Sequence, residues 1–185
     1  MDTTTLLIVA IAVLLLVVIV AVALRSRRST KLRDRFGPEY ERAVHDTGGR
    51  RAAESELQDR AKRVAAFAIE PLRPGERERY VSAWRGIQSQ FVDDPKRAVT
   101  SADSLLADVM AARGYPVGDF EQRAADLSVD HPVVVQNYRA AHSIALRHAR
   151  GEASTEDLRQ AMIHYRELFD DLVNDAALAP RAKAS

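Results

Sequence analysis

Apolar and polar positions divide the chain into two unlike parts. An unbroken apolar run begins at Leu6 and ends at Leu24, 19 residues drawn from Leu, Ile, Val and Ala with no Gly, Pro or charge. As a helix rising ~1.5 Å per residue, such a run reaches about 28 Å, close to the ~30 Å hydrocarbon core of a bilayer. Within lipid a helix satisfies every backbone N–H and C=O inside the segment. The run therefore predicts an N-terminal transmembrane helix, residues 1–24 with its short leader.

Beyond residue 24 the apolar positions thin out and become periodic. Gly37-Pro38 breaks the first helix and opens a short second one, and Thr47-Gly48-Gly49 ends that. Residues 50–68 form a charged helix with a thin stripe at Ala53, Leu57, Ala61, Val64 and Phe67. Residues 25–70 thus read as a basic juxtamembrane segment with charged helices. Pro71 to Gly75 marks a linker.

Stronger stripes lie beyond the linker. Tyr80, Val81, Trp84, Ile87 and Phe91 share a face; Asp94-Pro95 caps the next helix, with Val99, Ala102, Leu105, Leu106, Val109 and Met110 inward. Gly114 ends it. Asp119 caps a short helix through Leu127, and Asp130-His131-Pro132 opens another, with Tyr138, Ala141, Ala145 and His148 inward. Ser154-Thr155-Glu156-Asp157 starts the last helix, striped by Leu158, Met162, Tyr165, Phe169 and Leu172. No strand-like alternation of useful length occurs. The prediction is an all-α chain: a transmembrane helix, then a cytoplasmic antiparallel helical bundle over 71–173, and a tail from 174 to 185.

Charge sets the orientation. Arg25, Arg27, Arg28, Lys31, Arg33 and Arg35 come directly after the apolar run, and nothing basic precedes it. The positive-inside rule then puts the C-terminal domain in the cytoplasm at the cell membrane. A cleaved leader is the rival, since Ala21-Val22-Ala23 offers small residues; but the leader Met1 to Thr5 lacks a positive charge and the apolar run is long for a signal peptide. From Phe36 onward 21 basic residues face 24 acidic ones, a charge of −3. That balance does not favour a nucleic-acid partner, whose phosphates need a concentrated positive field, and none is expected. With no Cys there is no disulfide, thiolate metal site or cysteine nucleophile.

Candidate chemistry is sparse. Asp46-Thr47-Gly48 matches the aspartic-protease triplet, but that chemistry needs two carboxylates on β-loops, and here one copy ends a helix. Asp103-Ser104-Leu105 matches a carrier-protein attachment serine, but it falls mid-helix and off the apolar stripe. No two of the five histidines stand at i, i+4, and there is no HExxH motif or P-loop. Arg77, Arg79 and Arg85 border Tyr80 and Trp84, which read as core. Asp170-Asp171, near a helix C-terminus, opposes the dipole without evident benefit. No cofactor or metal is expected.

The stretches RFGPEY from Arg35, FVDDP from Phe91, RGYPV from Arg113, DFEQRAADLSVDHP from Asp119 and RGEASTEDLRQAMIHYRELF from Arg150 carry a resemblance. By them the chain resembles a family of single-pass membrane proteins from high-GC bacteria, chiefly actinobacteria. The resemblance covers most of residues 33–173. It implies the same anchor plus helical domain and brings no activity, cofactor or catalytic residue.

Function is thus expected to be non-enzymatic: a membrane-anchored interaction or scaffold module, held in the lipid bilayer and meeting a protein partner at the inner membrane. Tyr115, Val117, Phe120 and Asp130 are the candidate partner surface, because Pro-, Gly- and Asp-rich connections carry function; their plain alternative is to plug the bundle end. A second expectation is an exported or membrane-tethered small-ligand-binding or enzymatic domain, requiring His148, His164, Tyr138 and Tyr165 to converge with a carboxylate. A third is an anionic-lipid surface sensor built on the basic cluster.

Overall fold

The structure, a computed structural model, describes residues 3–174, and the side chains of 11–17, 19, 20, 22, 23 and 26–174. The predicted tail from 175 onward and the side chain of Arg25 lie outside the described residues. Among those residues the chain is all helical: α1 (Thr3–Phe36), α2 (Pro38–Asp46), α3 (Arg50–Ala65), α4 (Pro74–Asp93), α5 (Pro95–Ala112), α6 (Phe120–Asp130), α7 (Val135–Ala149) and α8 (Thr155–Asn174). Two compact units result, Met1–Gln58 and Asp59–Ser185, the division falling inside α3.

In the first unit, α1 is a single 34-residue helix. Among the described residues no helix is long and apolar enough to cross a membrane. The predicted span, residues 6–24, lies within α1, and eight of its 19 side chains (6–10, 18, 21 and 24) are outside the described ones. At Gly37 the backbone turns through a φ of +47°, where a side chain would be strained, and Pro38 begins α2 at once. The RFGPEY stretch is thereby folded inward: Phe36, Glu39 and Tyr40 are all buried. Tyr40 donates its hydroxyl proton to Glu54 Oε1 at 2.9 Å, fixing α3 to α2.

The second unit is the helical bundle. α5 and α8 are central: α5 packs on α4, α8 and α7, while α8 packs on α7, α5 and α4. Trp84 of α4 stacks on Phe169 of α8 with ring centroids 4.8 Å apart. The predicted caps form. Asp94 accepts from the Arg97 N–H at 3.0 Å, Asp119 from Gln122 at 2.8 Å, and Ser154 and Asp157 bond reciprocally across the start of α8. The apolar stripes of α5 and α8 are buried as their spacing predicts.

Local detail goes beyond the sequence pattern. The second compact unit begins at Asp59, and within it the C-terminal turns of α3 are tied to α6: Arg63 pairs with the buried Asp126 at 2.8 Å. Of the predicted linker, Pro71 to Gly75, Leu72 packs against the core, as do Phe67 and Ile69 just before it. Asp130-His131-Pro132 does not open α7. Asp130 ends α6, His131 caps it, and α7 begins at Val135. The reason is that His131 is buried, its imidazole Nδ1 bonded to Asp171 of α8, so the chain cannot turn into a helix until it has passed that contact.

Candidate functional site

Three constellations stand out, and the first is on α1. Ile11, Val13, Leu14, Leu15, Leu16, Val17, Ile19, Val20 and Val22 are each 47–63% exposed. Residues 13–17 are consecutive, so at ~100° per residue they point to every side of the helix. These side chains belong to no buried cluster among the described residues. The described basic residues Arg27, Arg28, Lys31, Arg33 and Arg35 are exposed just beyond.

The second is the junction formed by residues 113–117 and 130–131. It contains most of the sequence-predicted partner surface, and most of it faces inward. Arg113 is 1% exposed; its guanidinium donates to the Leu172 carbonyl at 2.8 Å, and its own carbonyl accepts from the Glu70 N–H at 2.9 Å. Tyr115 is buried and its hydroxyl donates to Asp130 Oδ2 at 3.4 Å. Phe120 is half-buried, stacked on His142 with centroids 3.5 Å apart and tilted against Tyr138. Val117 is 69% exposed, as is Val133 beyond the other end of α6. Of the four predicted residues, Tyr115 and Phe120 plug the bundle, Asp130 holds Tyr115, and Val117 faces out.

The third is a polar cluster inside the bundle. Asp103 of α5 accepts from the Tyr165 hydroxyl of α8 at 3.2 Å and lies 4.0 Å from the Arg123 guanidinium of α6. Tyr138 of α7 faces Tyr165 with ring centroids 6.3 Å apart. Burial first, then the Asp103 charge, pushes the Tyr138 hydroxyl up to about 12; burial and the same carboxylate raise Tyr165 as well. Both phenols therefore keep their protons at neutral pH, and Tyr165 donates its own to the hydrogen bond with Asp103. Burial lowers the basicity of His142, and Arg123 adds to this, against the opposing pull of Asp103 and Glu121. Tyr138 and Tyr165 thus do converge with a carboxylate, but His164 bonds to Asn137 at 3.2 Å and the histidine under the cluster's field is His142. Periodicity missed Asp103 and Arg123, because each sits beside its helix's apolar stripe and only the helix crossing joins them.

The remaining short motifs are structural. Thr47 ends α2, its hydroxyl donating to the Ala43 carbonyl at 2.8 Å. Ser104 is exposed and donates to the Thr100 carbonyl one turn back. No acidic or histidine group able to hold a metal ion occurs among the described residues. The chain matches no known family model, and neither a curated protein nor a solved structure is significantly similar to it.

Proposed function

We propose that this protein is a membrane-anchored, non-enzymatic helical interaction module. In this reading α1 crosses the cell membrane through residues 6–24, the six basic residues from Arg25 to Arg35 hold the helical domain on the cytoplasmic side, and the bundle meets a protein partner there. The observation that carries it is the ring of exposed apolar side chains from Ile11 to Val22, which have no favourable place in water at ~25 cal/mol per Å². The partner contact is centred on Val117, the exposed one of the three apolar residues Tyr115, Val117 and Phe120.

Three measurements test this. Alkaline carbonate should leave the full chain in the membrane pellet, and a fluorescent reporter at Ser185 should be active inside the cell while an export-dependent reporter is silent. Release into the supernatant removes the anchor; an export-only signal reverses the orientation and makes the helical domain an exported one. A photo-crosslinking residue at Val117 should give a discrete adduct in cells. The same residue at Val92, 82% exposed on α4, should not. Equal labelling at both sites removes the partner surface.

A second reading, a small polar ligand held at Asp103, Arg123, Tyr138 and Tyr165, is favoured by one observation: Arg123 Nε is buried without a hydrogen-bond acceptor. Against it, the guanidinium already faces Asp103, and both tyrosines hold their protons.

A further inference from the structure

The first unit holds a cleft of about 370 Å³ beside the end of the apolar run. Its α1 wall is Val22, Ser26, Ser29, Thr30 and Arg33; its α3 wall is Arg50 and Glu54. At ~100° per residue the five α1 side chains fall within an arc of about 100°, so they form one stripe. Along that stripe the chemistry changes in order: an alkyl group, then three hydroxyls, then a guanidinium. Arg27, Arg28, Lys31 and Arg35 point to the opposite arc by the same count, and they line no part of the cleft.

The order matches the profile of a phospholipid at a membrane surface: acyl chain, ester and glycerol oxygens, phosphate. Arg33 lies nine residues beyond Leu24, roughly 13 Å along the axis. Long helical side chains lean toward the N-terminus, which here is the membrane side, so the guanidinium reaches back toward the headgroup layer. Its plane stacks over the Tyr40 ring at 5.0 Å and pairs with Glu41 at 3.2 Å, which fixes the side chain; its remaining donors are still available to a phosphate. Glu54, the one carboxylate in the wall, accepts the Tyr40 hydroxyl proton. Tyr40, having donated, accepts from Ser29 at 3.2 Å. Within the cleft wall two guanidinium groups face one hydrogen-bonded carboxylate; Glu41, outside the wall, takes up part of Arg33, and the donors of Arg50 and the rest of Arg33 remain for an anion.

We infer that this cleft binds the phosphate headgroup of an anionic phospholipid, with Arg33 and Arg50 on the phosphate and Ser26, Ser29 and Thr30 on the ester and glycerol oxygens. The inference rests on the anchor reading above, since the anchor delivers the cleft to the bilayer surface.

The test uses the full chain in a mild non-ionic detergent, titrated with dioctanoyl phosphatidylglycerol, dioctanoyl phosphatidylcholine and inorganic phosphate by calorimetry. Phosphatidylglycerol should bind at least tenfold tighter than either of the others. The double substitution Arg33→Gln, Arg50→Gln should weaken it at least tenfold, while Arg27→Gln, Arg28→Gln, which removes the same charge from the other arc, should change it less than threefold. Arg33→Lys, Arg50→Lys should retain most of the binding. Should Arg33→Gln unfold the unit by circular dichroism, Arg50→Gln alone is used. Equal loss in the two glutamine pairs overturns the cleft in favour of diffuse surface charge. Phosphate binding as tightly as phosphatidylglycerol overturns the lipid in favour of a free anion, and no binding overturns both. Carbonate extraction separates the two readings: a chain that stays in the membrane but binds no phosphatidylglycerol keeps its anchor and loses this site.

Discussion

Replacing Gly114 by Ala tests how the second unit is locked. Gly114 has a φ of +93°, and a Cβ built there would lie 2.3 Å from the Ala68 carbonyl oxygen and 3.1 Å from its carbon. The obstacle is backbone, so it cannot swing aside as a side-chain tip would. The positive φ alone costs about 1–2 kcal/mol for an L-residue. Relieving the overlap pushes residues 68–70 away and weakens the Glu70 N–H to Arg113 carbonyl bond, worth about 0.5–1.5 kcal/mol more. The expected loss is about 2–3 kcal/mol, a large share of the ~5–15 kcal/mol that holds a typical domain. Urea denaturation of the full chain in mild detergent reads it directly. The fluorescence of Trp84, the sole tryptophan, reports the Phe169 stack in the same unit. Gly75→Ala is the control: its Cβ would meet nothing within 4 Å, and it lies in the first turn of α4. It should be neutral or stabilising by up to about 1 kcal/mol. If Gly114→Ala unfolds within 0.5 kcal/mol of the parent, on the order of measurement error, the close approach is not there.

Asp126→Asn should destabilise the second unit by about 2 kcal/mol, because it removes a buried carboxylate bonded to Arg63 and Gln122. In a double-mutant cycle with Arg63→Gln the coupling should be about 1 kcal/mol, reduced by the exposure of Arg63; strict additivity would mean no working pair. Tyr138 and Tyr165 bind their protons more tightly folded than unfolded. Their contribution is therefore complete below pH 10 and is lost as pH rises through about 12 for Tyr138, so stability should fall over that window. Absorbance at 295 nm, with Tyr138→Phe and Tyr165→Phe as assignments, checks this; ionisation of Tyr138 near 10 in the folded protein would refute it. Asp157, held down to about 2 by the Ser154 hydrogen bonds and then Arg147, should titrate there by carbon NMR and move upward in Ser154→Ala. Its capping contribution is present above the usual carboxylate range and fades as pH falls toward 2. Finally, changing Arg25, Arg27, Arg28, Lys31, Arg33 and Arg35 together to Gln should give a mixed or reversed orientation of Ser185 by the paired reporters; unaltered inside-only signal would show that other features orient the chain.

What was legible in the sequence is what depends on neighbours in the chain. Asp94-Pro95, Asp119 and the Ser154–Asp157 box bond to N–H groups three residues away, so their signal is local and the helices begin where it says. The α5 and α8 stripes were equally plain, because a face buried along its whole length repeats at helical spacing. His131 was misread for the opposite reason. A His before Pro after an acid resembles a helix opening, but its partner Asp171 is 40 residues away. Arg63 and Asp126 are 63 apart, and Tyr165 and Asp103 are 62 apart. No local pattern announces such pairs; they exist only once helix crossings bring the two surfaces together. The candidate cluster was accordingly half seen, its tyrosines found through the stripes and its Asp103 and Arg123 missed.

One of these distant pairings also resolves the acidic end of α8. The last turn of that helix carries Asp170 and Asp171 and no basic residue, a composition that opposes the helix dipole. The groups that satisfy this end come from elsewhere. Arg113 at the end of α5 donates to the Leu172 carbonyl, Arg77 of α4 donates to the Val173 carbonyl at 3.2 Å, and the imidazole of His131 takes up Asp171. Each bond ties a different segment to one helix end, so this end of α8 is where α4, α5 and the α6–α7 connection are clamped together. Arg113, Tyr115 and His131 therefore hold the fold, although in sequence they sit in the kind of connection that usually carries binding. Substituting them would disturb any partner contact indirectly, through unfolding. Val117 and Val133 are the exposed apolar residues flanking α6, and neither takes part in the clamp. A polar substitution at Val117 can thus abolish the proposed partner contact while leaving the Trp84 denaturation curve in place, and that separation distinguishes an interaction surface from a structural plug.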